Sequence, residues 1–343
     1  MPSDHVGGRL GDRFGTHRVL EPPGTLPQAA FRLDSDPSQP LDNEIVLDVE
    51  RLNIDSASFV QMEGEGDVAA QILETVRTRG KQHNPVTGSG GMLLGKVAWV
   101  GPALATDLRP GERVATLVSL TLTPLRLERI NGIDFKRHQV DVAGQAILFE
   151  SSAWARLPAD LPETVALAAL DVAGAAPQVA RLVAPGMKVL VLGCGGKSGL
   201  LSSAAARRAG ASRVIGVERS EAAASSARRL GACHEIVIAD AADALSVSAA
   251  VHAAASGEVD FAVSCVNVPD AEMSAILSTR DGGTIYFFSM STRFTQAALG
   301  AEGISRDVTM IIGNGYCPGH AEATLALLRE NPTLRALFIE RFG

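Results

Sequence analysis

Val189 to Gly199 reads VLVLGCGGKSG, and this stretch decides the fold of the second half of the chain. A β-branched apolar run leads straight into Gly193, Gly195 and Gly196, and a helix is expected to open near Ser198. Glycines at such a junction let the backbone turn tightly and approach a pyrophosphate, which the N–H groups of the following helix receive. One strand later, Val217-Glu218-Arg219 sets a carboxylate at a strand tip, near the spacing expected of an acid that binds the ribose of a dinucleotide. The third glycine, Gly199, lies one position beyond the usual fingerprint, so Lys197 and Ser198 gain room to touch phosphate. Gly196-Lys197-Ser198 imitates the end of a nucleoside-triphosphate loop, but that motif needs glycine where Val191 stands. A purely structural glycine turn would leave Glu218 without a purpose. Glu218 favours NAD by accepting from the ribose 2′-hydroxyl, whereas Arg219 would tolerate the 2′-phosphate of NADP.

Working outward, short apolar runs alternate with helical segments from Leu161 onward. Lys188–Leu192, Arg213–Val217, Glu235–Ile238, Val259–Val266 and Thr284–Phe288 read as strands, with 198–209, 220–230, 243–255 and 271–279 as helices between them. That rhythm is the signature of parallel β-α-β units. A strand at Val308–Ile312 and a helix near His320–Glu330 close the chain. The first half is β-rich and punctuated by Gly and Pro, with strands at 43–52 and 93–100. Its one clear helix, 67–79, repeats Val68, Ile72 and Val76 every four residues. With 343 residues the chain accommodates two domains. The expected division is 1–160 (1–42 an extension and opening strand), 161–316, and a helical segment 317–343 packing back toward the first domain.

Composition narrows the function. There are 38 acidic and 31 basic residues, a net charge of −7, 46% hydrophobic and 20% charged residues. Such a chain is globular, and without a basic block it is not expected to bind nucleic acid. No apolar run is long enough to span a membrane. Cys194, Cys233, Cys265 and Cys317 are scattered, which argues against a disulfide framework or a compact zinc cluster and for a cytoplasmic setting.

These motifs together resemble the medium-chain dehydrogenase/reductase superfamily. Asp107–Val114 (DLRPGERV) resembles its barrel turn, 157–170 its crossover, and 184–220 the opening of its cofactor domain. The resemblance implies an α/β chain with a GroES-like β-rich barrel domain and a Rossmann-type doubly wound parallel sheet, with the active site in the cleft between them. It also implies a homodimer, joined through edge strands at 284–289 and 308–312. Where the zinc enzymes of the superfamily hold a Cys, this chain has Asp55, and their Gly-His-Glu becomes Ser89-Gly90 within NPVTGSGG (84–91). One Asp and one Ser do not make a zinc shell, so no metal is expected. Within the superfamily, GKQHNPVTGSGGMLLG (80–95), GTHRVLEPPGTLPQ (15–28), GCGGKSGLL (193–201) and the ending 331–343 are similar to the L-erythro-3,5-diaminohexanoate dehydrogenase family. That resemblance implies NAD-dependent oxidative deamination of L-erythro-3,5-diaminohexanoate to 5-amino-3-oxohexanoate in lysine fermentation. The alternative is a zinc-independent NAD(P)H reductase of quinones, enones or ketones.

Deamination needs a base for an ammonium, acceptors for a second amine and a cation for a carboxylate. Asp55 is the leading candidate base, although a helix cap would equally suit an Asp followed by Ser. Ser89 is a candidate proton relay or a hydroxyl serving its glycine-rich loop. Glu63, in the acidic run MEGEGD, is a candidate ammonium ligand or a solvated acid. Lys81 is a candidate for the substrate carboxylate and His83 for proton shuttling; both also read as ordinary loop residues. Asp240, Asn267 and Ser289, at the ends of later strands, are candidate cofactor contacts by position alone. Cys194 reads as a packing residue, and no spacing singles out Arg137 or His138.

Overall fold

The computed structural model describes residues 9–85, 88–117, 119–289, 291–313 and 315–343, without the side chains of Ser56 and Ala57. The first eight residues of the 1–42 extension, and Val86 and Thr87 of the 84–91 run, lie outside the described residues. Two compact units divide after Glu163.

In the first unit, β1 (Val19–Glu21) and β2 (Arg32–Leu33) form a small antiparallel pair. A second sheet is built from β3 (Glu44–Asn53), β4 (Met92–Val100), β5 (Arg113–Thr116), β6 (Leu125–Asp134), β7 (Gln139–Phe149) and β8 (Trp154–Arg156). Its order is β6-β7-β3-β4-β5-β8, antiparallel throughout, as expected of the GroES-like β-rich domain. The β6–β7 hairpin escaped sequence reasoning because β6 alternates weakly and buries only Leu125 fully. Between β3 and β4 lie α1 (Ser56–Glu65) and α2 (Val68–Arg79). Val68, Ile72 and Val76 point α2 into the core with Leu47, Leu52 and Leu93. Asp67 caps the start of α2 by accepting from the Ala70 N–H, and Gly80 ends it at φ +65°, where a side chain would also strike the Leu33 carbonyl.

A buried ion pair fixes the N-terminal segment to β3. Arg18 grips Glu44 with Nε at 2.8 Å and Nη2 at 2.7 Å, and His17 Nε2 adds a contact at 2.8 Å. Burial opposes the charge on Glu44, yet these partners hold its pKa at about 2. Removing one partner of such a buried pair strands the other, which is why pairs of this kind are costly to break.

In the second unit, α3 (Glu163–Leu170) and α4 (Ala175–Leu182) precede a six-stranded parallel sheet. Its elements in chain order are β9 (Lys188–Leu192), α5 (Lys197–Arg208), β10 (Arg213–Glu218), α6 (Glu221–Leu230), β11 (Glu235–Ile238), α7 (Ala244–Ala255), β12 (Val259–Ser264), α8 (Glu272–Ser278), β13 (Thr279–Phe287), α9 (Phe294–Gly303) and β14 (Val308–Ile312). The strand order β11-β10-β9-β12-β13-β14 is that of the doubly wound dinucleotide fold, 3-2-1-4-5-6. The strand expected at 284–289 is therefore interior, flanked by β12 and β14; of the two strands expected at an edge, β14 alone lies at one.

α10 (His320–Glu330) and α11 (Pro332–Phe342), expected to return to the first domain, belong to the second unit. Thr324 Oγ1 donates to the Ala173 carbonyl at 2.7 Å, Arg229 pairs with Glu340 at 2.8 Å, and Leu328, Leu334 and Phe338 are fully buried. Asn331 caps α11 and Pro332 opens it.

Candidate active site

The topological switch of the parallel sheet falls between β9 and β12, and the glycine loop leaves β9 there. Gly193 turns at φ +77°, a left-handed conformation that suits glycine, and its N–H donates to the Val217 carbonyl at 2.9 Å. A Cβ on Gly195 would lie 2.0 Å from the Ala223 carbonyl oxygen, and one on Gly199 would lie 2.0 Å from the Gly193 oxygen. These contacts pack the loop against α6 and onto the start of α5, whose first N–H groups point away from the sheet's own bonding. The cradle fits a pyrophosphate. Glu218 Oε1 accepts from the Gly195 N–H at 2.8 Å, so the acid expected on the ribose stands at the loop itself, with Arg219 exposed beside it.

Two loop side chains differ from expectation. The Lys197 ammonium is held by Asp171 Oδ2 at 2.5 Å. Ser198 is buried, and its hydroxyl is hydrogen-bonded to the Cys265 thiol. Cys194 is fully buried over Gly216, and its hydrogen bond with Cys233 together with burial pushes its thiol pKa up, as suits a packing residue. Ser289 Oγ donates to Asn267 Oδ1 at 3.0 Å, bringing together two candidates that follow β13 and β12. Asp240 is exposed beyond β11, where its Oδ1 accepts from the Ala242 N–H in a local turn. One residue of this region escaped the sequence reading: Arg341, on α11, donates to the Gly195 carbonyl at 2.8 Å. Burial lowers its pKa, with the nearby Glu218 acting in the opposite sense. Its only sequence signal was the similarity of the 331–343 ending.

In the first unit, Asp55 is a helix cap. Its Oδ1 caps α1, accepting from the Ser58 N–H at 2.9 Å, while its Oδ2 is buried without a partner. The loop that carries Ser89 lies against the same helix. Asn84 Nδ2 donates to Gln61 Oε1 at 2.7 Å and to the Ser58 carbonyl at 3.4 Å, and the Ser89 carbonyl accepts from the Asn84 N–H at 2.7 Å. His83 Nδ1 and Gln82 Oε1 are likewise buried and unpartnered. A buried polar atom without a partner costs about 1–3 kcal/mol, and three of them lie on one loop and the helix it grips. Gln82 drew no notice as a sequence, because a lone Gln carries no pattern. His138, which no spacing singles out in the sequence, stacks on Phe59 of α1 at 4.6 Å, and its carbonyl accepts from the Ile54 N–H, next to Asp55. Burial lowers the His83 pKa, with the Lys81 and Arg79 charges adding to the effect, which favours the neutral imidazole.

Two candidates lie elsewhere. Glu63 is exposed near the end of α1, about 12 Å along the helix from Asp55 at 1.5 Å per residue. Lys81 is fully buried, and its Nζ donates to the carbonyls of Pro27 at 2.7 Å and Gln28 at 3.2 Å. It therefore ties down the loop between β1 and β2 and is spent before any substrate carboxylate could use it. Burial lowers its pKa to about 8. Between that value and the ordinary value of 10.5 the unfolded chain binds the proton and the folded chain does not, so folding stability rises with pH across this window. Relative to Lys81→Met, the wild-type melting temperature is expected to climb between pH 8 and 10; parallel curves would contradict the burial argument.

Among the described residues, no group of three His, Cys, Asp or Glu side chains is placed to hold a metal ion, and no single helix is long and apolar enough to cross a membrane.

A β-rich first unit followed by a parallel sheet with this strand order and a glycine cradle defines a medium-chain dehydrogenase/reductase, an oxidoreductase that uses a nicotinamide cofactor. The alcohol dehydrogenase of Thermotoga maritima shares this fold, with a TM-score of 0.56 at 13% identity over 88% of this chain and 86% of that one. Residues 17–158 match the L-erythro-3,5-diaminohexanoate dehydrogenase N-terminal domain, and 199–316 match the zinc-binding dehydrogenase family. The L-erythro-3,5-diaminohexanoate dehydrogenase of Acetoanaerobium sticklandii is 50% identical over 338 residues, covering 96% of this chain and 98% of its own. That of Fusobacterium nucleatum is 51% identical over 342 residues, covering 97% and 99%. The chain belongs to the L-erythro-3,5-diaminohexanoate dehydrogenase family.

Proposed function

We propose that this enzyme oxidatively deaminates L-erythro-3,5-diaminohexanoate to 5-amino-3-oxohexanoate, with NAD as acceptor and release of ammonium. The observation that carries this reading is the likeness, along nearly the whole chain, to two dehydrogenases of that name. It is favoured over a quinone, enone or ketone reductase, for which an unpartnered buried carboxylate oxygen beside neutral acceptors has little use.

When bound in the glycine cradle, NAD would supply the acceptor for the hydride that leaves the carbon bearing the amine. That amine must first lose a proton, and Asp55 Oδ2, free of any partner, is the group to receive it. The neutral His83 relays the proton outward and later takes one from the water that attacks the imine carbon. Substrate ammonium, NAD and water thus become ketone, free ammonium, NADH and one proton.

NAD is the preferred cofactor in this reading, because Glu218 faces the ribose end of the loop and repels a 2′-phosphate. Glu218→Ala is expected to raise the ratio of NADP to NAD affinity about tenfold, measured by quenching of NADPH and NADH fluorescence; an unchanged ratio removes Glu218 from the ribose. The reaction is further proposed to run without zinc, in the cytoplasm and in a homodimer. Support for the first is the donor set around Asp55 and Ser89, and for the last the exposed edge at β14, where Ile312 is 55% accessible. The deciding experiment follows NADH formation from L-erythro-3,5-diaminohexanoate, with and without a chelator. Turnover that survives the chelator supports the reading whole. No turnover ends it, and turnover only with zinc restores metal chemistry.

A further inference from the structure

Gln82 is the one residue of the unpartnered set that the mechanism above leaves unused. Its side chain is 1% exposed and its Oε1 meets no donor. It adjoins His83 and sits on the segment that Asn84 fastens to α1, the helix capped by Asp55. That segment and helix start thus present three unsatisfied atoms: a carboxylate oxygen, an imidazole nitrogen and an amide oxygen.

The proposed substrate carries two amines, only one of which reacts. The amine at C5 remains an ammonium throughout and brings N–H donors into the site. We propose that Gln82 Oε1 receives this second ammonium, and so is the residue by which the enzyme distinguishes a 3,5-diamino acid from a 3-monoamino acid. The inference rests on the function proposed above. An amide suits the task better than a carboxylate. A second acid buried near Asp55 would raise the pKa of one of the two and compromise the base. A neutral carbonyl accepts from the ammonium and leaves the charge of Asp55 alone.

The test compares steady-state kinetics on L-erythro-3,5-diaminohexanoate and on 3-aminohexanoate, which lacks the C5 amine, for the wild type, Gln82→Leu and Gln82→Asn. Leucine removes the acceptor at similar volume; asparagine keeps the chemistry but withdraws the oxygen by one methylene, and serves should the leucine variant not fold. Both variants are expected to raise KM for the diamino acid about 10- to 100-fold. Their kcat should stay within about threefold and their kinetics on 3-aminohexanoate should be unchanged, so that the preference collapses. Equal losses on both substrates, or no loss on either, would overturn the role of Gln82 while the proposed reaction stands. Failure of the wild type to oxidise the diamino acid would overturn both.

Discussion

Asp55→Asn is expected to lower kcat by about 10²- to 10⁴-fold, the range over which a positioned base contributes to proton transfer. The variant should melt at the wild-type temperature and bind NADH with unchanged affinity. The two carboxylate oxygens are held differently. Oδ1 accepts from the Ser58 N–H and starts α1, whereas Oδ2 is buried and bonded to nothing. Asparagine is as good an N-cap as aspartate, so its Oδ1 keeps the helix start intact. What disappears is the negative charge and basicity at the second position. Asp55→Ala loses both functions and should in addition cost about 1 kcal/mol of stability for the missing cap. Stopped-flow and steady-state rates, read beside thermal melts, separate the two effects. An Asp55→Asn enzyme that turns over normally would reduce Asp55 to a cap.

The same residue shows where sequence reasoning stops. That Asp55 either caps or catalyses was visible from Asp-Ser and from the resemblance; that its two oxygens do different things was not, since it depends on which backbone N–H the helix presents. The second unit was readable almost element by element, because strands buried on both faces give continuous apolar runs and Gly-rich turns mark their ends. β6 and the helices α3, α4 and α9 were harder. β6 is half-buried to exposed after Leu125, and α3 is apolar on most sides, so neither carries a period. Lys81 misled for a related reason. A lysine beside a glycine loop resembles an anion ligand, and only the three-dimensional fold reveals the Pro27 and Gln28 carbonyls, some fifty residues away in the chain, that claim it. Gln82 and Arg341 had no motif to advertise them: one is defined by a bond it lacks, the other by a bond to a backbone oxygen distant in sequence.

Gly199→Ala should all but abolish cofactor binding, with NADH affinity falling by about 100-fold or more, as a distortion of the cradle demands. Its new methyl would lie 2.0 Å from the Gly193 oxygen and 2.7 Å from the Cys194 Cα, both backbone atoms. Gly193 cannot retreat, because its N–H is bonded to Val217 of β10 and its φ of +77° fixes the turn. The start of α5 must move instead, taking the first-turn N–H groups with it, and overpacking of this kind costs about 1–3 kcal/mol of stability. Gly196→Ala is the control that separates packing from ligand contact. Its Cβ would meet nothing closer than 3.5 Å, its φ of −74° suits alanine, and the loss of a glycine cap costs about 1 kcal/mol or less. The apo protein should therefore fold normally. Any loss of NADH affinity in Gly196→Ala then measures how closely the pyrophosphate approaches the loop at that point. Fluorescence titration with NADH decides both cases, and a Gly199→Ala protein that binds NADH like the wild type would show that the cofactor sits elsewhere.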